Sequence, residues 1–287
     1  MEFRDLDDLR ARGAALPGPV LMLLCEDETE IASTLDHHVR AGFASIVVAA
    51  PPGVTLPPLP GAAHALRLPE RPERMAPPCV NALIDALPEG RWIAWLHNAE
   101  YLFTPFGESR TVGEATAFCA EERRDALLTF VIDLYAGDLG AAPDGVDPED
   151  AWFDATGYYA LARPGDPSAP GPKERQLDMF GGLRWRHEEH VPEDRRRIDR
   201  VSLFRVRPGL RLRDDNTLSI EEMNTYACPW HHSMTCAVAS FRAAKALATN
   251  PGSRGTIPTF RWSGSTRFEW RAQQLMDGGF MEPGQWF

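Results

Sequence analysis

Apolar runs bounded by turn signals recur along this chain, and their lengths set the first expectations. Val20–Cys25 (VLMLLC) follows the Pro17–Gly18–Pro19 turn and is too short for an ordinary helix, so it predicts a buried strand. Polar residues Glu26 to Glu30 come next, with Asp27 and Glu30 spaced as a capping box, and Ile31, Leu35 and Val39 then recur at helical spacing. Gly42 closes that helix and Phe43–Ala50 supplies a second β-rich run. Strand, helix and strand in this order predict a parallel sheet. Ahead of this unit, residues 3–14 predict a short surface helix. Behind it, residues 51–78 are proline-rich and read as irregular. Cys79–Leu87 predicts a short helix, and Pro88–Glu89–Gly90 turns the chain into the apolar stretch Trp92–Leu96. That stretch ends in His97, Asn98 and Glu100, where an open α/β sheet places ligand groups.

The second half reads less evenly. Thr111 and Glu114 form a capping-box pattern ahead of a helix reaching Arg124, and Ala126–Tyr135 (ALLTFVIDLY) predicts a strand with Asp133 near its end. Residues 137–175 carry dense turn signals and predict a poorly ordered excursion lying over a cleft. Phe180–Arg186 (FGGLRWR) reads as extended chain with Arg184 and Arg186 on one side. Val201–Arg207 predicts a strand. A helix over Met234–Ala248 is stopped by Asn250–Pro251–Gly252, and a further helical piece is expected at Trp270–Met276.

Composition narrows the function classes. The 287 residues carry a formal net charge of -11, which argues against a nucleic-acid binder. The exception is a basic block running from Arg184 to Arg207, suited to phosphate or equally to a solvated face. No apolar run of 18 residues occurs and the first 15 residues are rich in charge, so neither a membrane span nor a signal peptide is expected, and a cytoplasmic location is. The five cysteines form no CxxC pair and predict free thiols. His37–His38 reads as a packing or capping pair with one ring inward, a site role being the alternative. His231–His232 precedes the Met234 helix, where it could meet a metal or a phosphate. There is no GxGxxG after the first strand, no GxSxG and no HExxH, which removes the dinucleotide fingerprint, the α/β-hydrolase elbow and the zincin site.

Taken in order, these features resemble the bacterial family-2-like glycosyltransferases of GT-A fold. Glu26, Asp27 and Glu28 with His37–His38 are similar to that family's Asn–Glu element and His–His helix. WIAWLHNAEY stands where the family has Asp-Ala-Asp-Glu-Phe, with Glu100–Tyr101 matching Glu-Phe. ALLTFVIDLY resembles its next core strand, FGGLRWR its Gly-Gly-x-Arg-x-Arg element, IDRVSLFRVRPG its Lys-Val-Pro-Leu strand and PWHHSM its final His-Phe-Lys element. The resemblance spans roughly residues 18–250. It implies an α/β, GT-A-like (nucleotide-diphospho-sugar transferase-like) domain over 1–287, with a mostly parallel central sheet flanked by helices. Residues 1–17 would then be an N-terminal arm, 137–178 a variable loop over the cleft, and 251–287 a C-terminal closing segment.

The implied activity is transfer of a sugar from a nucleotide-diphosphate donor to a glycan or other hydroxyl acceptor. Glu26, Glu28, His97, Asn98, Glu100, Arg184, Arg186 and Arg200 would then line the donor site, and Asp133, Glu188 or Glu189 would deprotonate the acceptor. Departures from the family bear on the metal. His97 and Ala99 replace the two aspartates, and alanine ligates nothing; Arg200 keeps a lysine's charge, whereas Ser233 loses one; Ala49–Ala50–Pro51–Pro52 offers no Asp or Asn to the nucleotide. Two routes stay open. In one, Arg184, Arg186 and Arg200 stabilise the leaving diphosphate without a metal; in the other, Mn²⁺ or Mg²⁺ is held by His97, Glu100 and His231. The alternative to both is a non-catalytic module that binds a nucleotide, a sugar or a protein.

Overall fold

The computed structural model describes residues 1–165, 171–226 and 233–286. Strand β1 (Glu2–Phe3) leads into helix α1 (Leu6–Arg12), whose N-cap Asp5 accepts from the Asp8 N–H. The first apolar run is β2 (Val20–Leu24), followed by α2 (Ile31–Arg40) and β3 (Ser45–Ala50). β3 lies parallel to β2 in a register that sets Val20 opposite Ser45. Side chains of β2 alternate between two cores. Val20, Met22 and Leu24 face the side covered by α1 and α3 (Ala76–Ala86), whereas Leu21 and Leu23 face α2 and α4 (Val112–Glu121). A strand buried on both faces needs apolar side chains at every position, and this is why VLMLL shows no alternation.

The proline-rich segment hides a strand, β4 (Ala63–Arg67), which extends the parallel set beyond β3 and carries β1 on its far side. The N-terminal arm is thus tied into the sheet. Residues 92–101 are two strands rather than one: β5 (Trp92–His97) pairs parallel with β2, the chain turns at Asn98–Ala99, and β6 (Glu100–Phe103) lies on the opposite edge of the sheet. Ala99 takes φ 58° in that turn. β7 (Ala126–Ala136) is as expected from its β-branched and aromatic content. The Thr111–Glu114 capping box forms on α4. The Asp27–Glu30 box does not, because Asp27 is drawn into the loop by Thr29 N–H, Asn98 and Lys245, and Glu30 takes φ 54° at the helix start.

The excursion after β7 is ordered over its described residues. It contains β8 (Ala151–Asp154), β9 (Tyr159–Ala162) and β10 (Leu177–Phe180), the last two forming a separate antiparallel ribbon. FGGLRWR then becomes helical, as α5 (Gly182–Arg186), instead of extended. Gly181 leaves no room for a side chain against the Tyr158 ring, and Gly182 takes φ 63° beside Asp133. β11 (Asp199–Arg205) enters antiparallel between β5 and β7. The expected Met234 helix divides into β12 (Cys236–Ser240), parallel to β7, and α6 (Arg242–Thr249). The apolar run TCAVASF is too short for periodicity to separate a buried strand from a helix. β13 (Ser265–Arg267) pairs with β8, and α7 (Ala272–Asp277) overlaps the predicted C-terminal helical piece.

The sheet order among described residues is β1-β4-β3-β2-β5-β11-β7-β12-β6, with β8 and β13 continuing from the end of β7. This is a mixed, mostly parallel α/β sheet flanked by helices. No helix among the described residues is long and apolar enough to cross a membrane. Cys25, Cys79, Cys119 and Cys236 are buried free thiols, and burial pushes Cys25 and Cys79 up to about 12.

Both rings of the histidine pair face inward, not one. His38 Nδ1 donates to the Thr34 carbonyl and its Nε2 accepts from Leu102 N–H at 3.2 Å. His37 Nε2 donates to the Leu102 carbonyl at 2.8 Å. β6 is an edge strand, and two imidazoles satisfy both backbone groups of its Leu102 where no further strand among the described residues does so.

Candidate functional site

Strands β3 and β4 extend the sheet on one side of β2, and β5 begins the other. The direction of winding therefore reverses between β2 and β5, and a crevice opens beyond their carboxyl ends, where open α/β sheets bind ligands. A cavity of about 700 Å³ occupies this position, within the range of small-molecule sites. Its floor is formed by Glu26 after β2, Trp95 and His97 of β5, Arg200 of β11, Arg184 of α5 and Arg242 of α6.

Each floor arginine is fixed by a buried or half-buried carboxylate. Arg200 lies over the Trp95 ring at 4.4 Å and donates from Nη2 to Glu100 Oε2 at 2.7 Å, with its Nε bonded to Ser202. Arg242 grips Glu26 through Nε and Nη2 at 2.8 and 2.7 Å. Arg184 donates to Asp133 through Nε and its backbone N–H, and through Nη1 to the Arg197 carbonyl. A guanidinium has five N–H donors. Two side-chain nitrogens of Arg184, two of Arg242 and three of Arg200 donate, so each arginine retains N–H groups with no partner among the described residues. Lys245, one turn beyond Arg242, pairs with Asp27 at 2.6 Å.

Glu100 is wholly enclosed and fully engaged. It accepts from the His97 backbone N–H at 2.8 Å, from Ser240 Oγ at 3.2 Å and from Arg200. Burial alone would raise its pKa, but Arg200, His97 and Arg242 outweigh burial and hold the carboxylate well below its ordinary range. Glu26 is treated alike: Arg242 and Lys245 overcome the effect of burial and keep it ionised. His97 shifts the other way, since burial and then Arg242 lower it below the usual imidazole value against the pull of Glu26 and Glu100.

Among the described residues, little of a site for a hard divalent cation is present. Ala99 contributes no ligand atom, both Glu100 oxygens already accept hydrogen bonds from the protein, and no group of three His, Cys, Asp or Glu side chains suited to a metal occurs among the described residues. His231, the third residue suggested for such a site, lies outside the described residues with its neighbour His232.

The other sequence-derived candidates separate clearly. Asn98 shapes the site without lining it. Its Oδ1 accepts from Glu26 N–H, and its Nδ2 donates to Asp27 Oδ1 and the Thr29 carbonyl, so it clamps the β2–α2 loop onto the end of β5. Asn98→Ala should therefore destabilise the fold by about 2 kcal/mol, the cost of leaving these partly buried groups unpaired, with a lowered denaturation midpoint as the readout. Glu28 is exposed and accepts from Thr55 N–H. Arg186 turns from the cavity to Asp154 and the Phe260 carbonyl, because a helical turn cannot keep two residues at i and i+2 on one face.

None of the three proposed bases stands free in the cavity. Asp133 is buried against Arg184 and the start of α5, and burial raises its pKa in spite of that partner. Glu188 and Glu189 lie outside the lining, beside Arg196 and His190. Residues missed by sequence reasoning are Trp95, Arg242 and Lys245. The last two follow strand β12 as SFRAAK, a signal hidden by reading that strand as helix. Arg71 and Arg195 also line the cavity, with no ion-pair partner among the described residues. In a chain of net charge -11, the wall carries as many basic as acidic side chains, and no known protein-family model or curated protein matches the sequence.

Proposed function

We propose that this cavity binds the diphosphate of a nucleotide sugar and that the chain is a GT-A-like glycosyltransferase in which arginine replaces the metal. The observation that carries the reading is the convergence of Arg184, Arg200 and Arg242 on the cavity floor, each oriented by a carboxylate and each with N–H donors that have no partner among the described residues. Guanidinium groups held in this way need no reordering to receive phosphate oxygens, and they stabilise negative charge as it develops on a leaving diphosphate. The Glu100–Arg200 pair stands where the resemblance puts the family's metal-binding motif; Glu100 balances the charge of Arg200 and orients its guanidinium there. The mixed sheet with its reversal beside β2 fits the same resemblance.

One observation favours a second reading, a binding module that transfers nothing: Asp133, Glu188 and Glu189 are all engaged or outside the cavity. Calorimetric titration with UDP and GDP tests the nucleotide binding that the transfer reading requires. Arg242→Ala and Arg184→Ala should each weaken nucleotide binding by about tenfold or more, the worth of one hydrogen bond to a charged group. Arg186→Lys, outside the cavity, should leave affinity unchanged. Undiminished affinity in both alanine variants would exclude the arginine floor as the phosphate site.

A further inference from the structure

We infer that His97 is the proton acceptor of this site, with Glu100 as the residue that orients its ring. The inference rests on reading the cavity as a glycosyl-transfer site and supplies the base that the carboxylates do not. His97 is 7% exposed and lines the cavity, and its Nδ1 is enclosed with no hydrogen-bond partner among the described residues. That nitrogen lies 3.4 Å from Glu100 Oε2. The carboxylate is itself held by the His97 backbone N–H, Ser240 and Arg200, so it presents a fixed negative edge to the ring. Of the two carboxylates beside the ring Glu100 is the nearer and favours a proton on Nδ1; Nε2 then keeps its lone pair, 3.9 Å from a Glu26 oxygen that Arg242 already engages. An imidazole with a carboxylate beside one nitrogen and a lone pair on the other is the arrangement that general-base catalysis uses.

The charged groups that face His97 come from three other elements: Glu26 after β2, Glu100 of β6 and Arg242 of α6, with Arg200 of β11 behind Glu100. Burial and then Arg242 lower the ring below the ordinary imidazole value, and the two carboxylates stabilise the imidazolium once it forms. In the step itself, the acceptor oxygen bonds to the anomeric carbon and the bond from that carbon to the diphosphate oxygen breaks. Its electron pair leaves on the diphosphate, and the hydroxyl proton passes to Nε2. After release, His97 returns that proton to water. The substrate class is a neutral hydroxyl, water included, and displacement in a single step inverts the anomeric centre.

The test combines a long-range ¹H–¹⁵N correlation spectrum of the histidine-labelled protein with release of UDP or GDP from a panel of UDP- and GDP-sugars. At pH 7 the His97 ring is expected to be neutral and protonated on Nδ1; a proton on Nε2 or an imidazolium overturns the inference. His97→Gln should lower turnover by about 100-fold or more while UDP affinity stays within about twofold, and should remove the acidic limb of the pH–rate profile. If nucleotides bind the wild type and the variant turns over equally well, this inference alone fails. If no nucleotide binds the wild type, or none of the sugars is turned over, the transfer reading fails and takes the inference with it.

Discussion

Replacing Arg200 by methionine is expected to lower the unfolding free energy by about 3–5 kcal/mol, and Tm by roughly 10 °C. Glu100 is fully enclosed, and among the described residues Arg200 supplies its charge-bearing hydrogen bonds, with Arg242 farther off at 3.9 Å. Removing the cation strands a carboxylate that must either stay ionised in a dry interior or take up a proton against its present environment. The Trp95 ring also loses the guanidinium that covers it at 4.4 Å. The double variant Arg200→Met with Glu100→Leu should recover a substantial part of the loss, since both charges leave together and shape is roughly kept. Denaturant melts of the single and double variants measure this directly. A single variant as stable as the wild type would mean that the pair is solvated and is no fixed feature of the floor.

The second large effect is a loss of stability in mild acid. Burial lowers His37 to about 4 and drives His38 well below the ordinary imidazole value, with hydrogen bonds to Leu102 and Thr34 opposing the shift. In the unfolded chain both titrate near 6.5. Below that pH the unfolded state binds more protons than the folded state, so stability rises with pH across this window. It is fully present above about pH 7 and is lost as pH falls toward 4; His37 alone contributes on the order of 3 kcal/mol. Protonated His38 also cannot accept from Leu102 N–H, which frees the edge strand β6. Tm measured from pH 7.5 to 4.5 should fall steeply in the wild type and less so in His37→Gln, whose side chain can still donate to the Leu102 carbonyl. A flat profile would show that the two rings are not buried in neutral form.

Much of the parallel half of the sheet was legible because its physics is local. VLMLL between a turn and a polar stretch, and FASIVVAA after a glycine, can bury both faces only as inner strands. β4 escaped because five residues among prolines offer too short a pattern, and their strand character comes from pairing with β3. The break of WIAWLHNAEY at Asn98–Ala99 was invisible for a related reason. The hydrophobic pattern continues smoothly through a turn that sends Glu100 to the other edge of the sheet.

The site was legible in its centre and not in its wiring. His97, Glu100, Arg184, Arg200 and Glu26 stood out as polar groups at strand ends or in the basic block, and the structure brings them to one place. Which atoms remain available depends on pairings across 100 or more residues, such as Arg200 with Glu100 and Arg242 with Glu26. No spacing rule reports these. Asp133 shows the consequence, for it stands at the expected point in the sequence yet is closed off by Arg184 and α5.

In the proposed site arginines, not a cation, receive a nucleotide diphosphate. The most direct measurement is titration of UDP and GDP into the wild-type protein, first in EDTA and then with excess Mn²⁺. Micromolar binding of one nucleotide, with the same affinity in both conditions, is the predicted result. Binding that requires Mn²⁺, or no binding of either nucleotide, would contradict it.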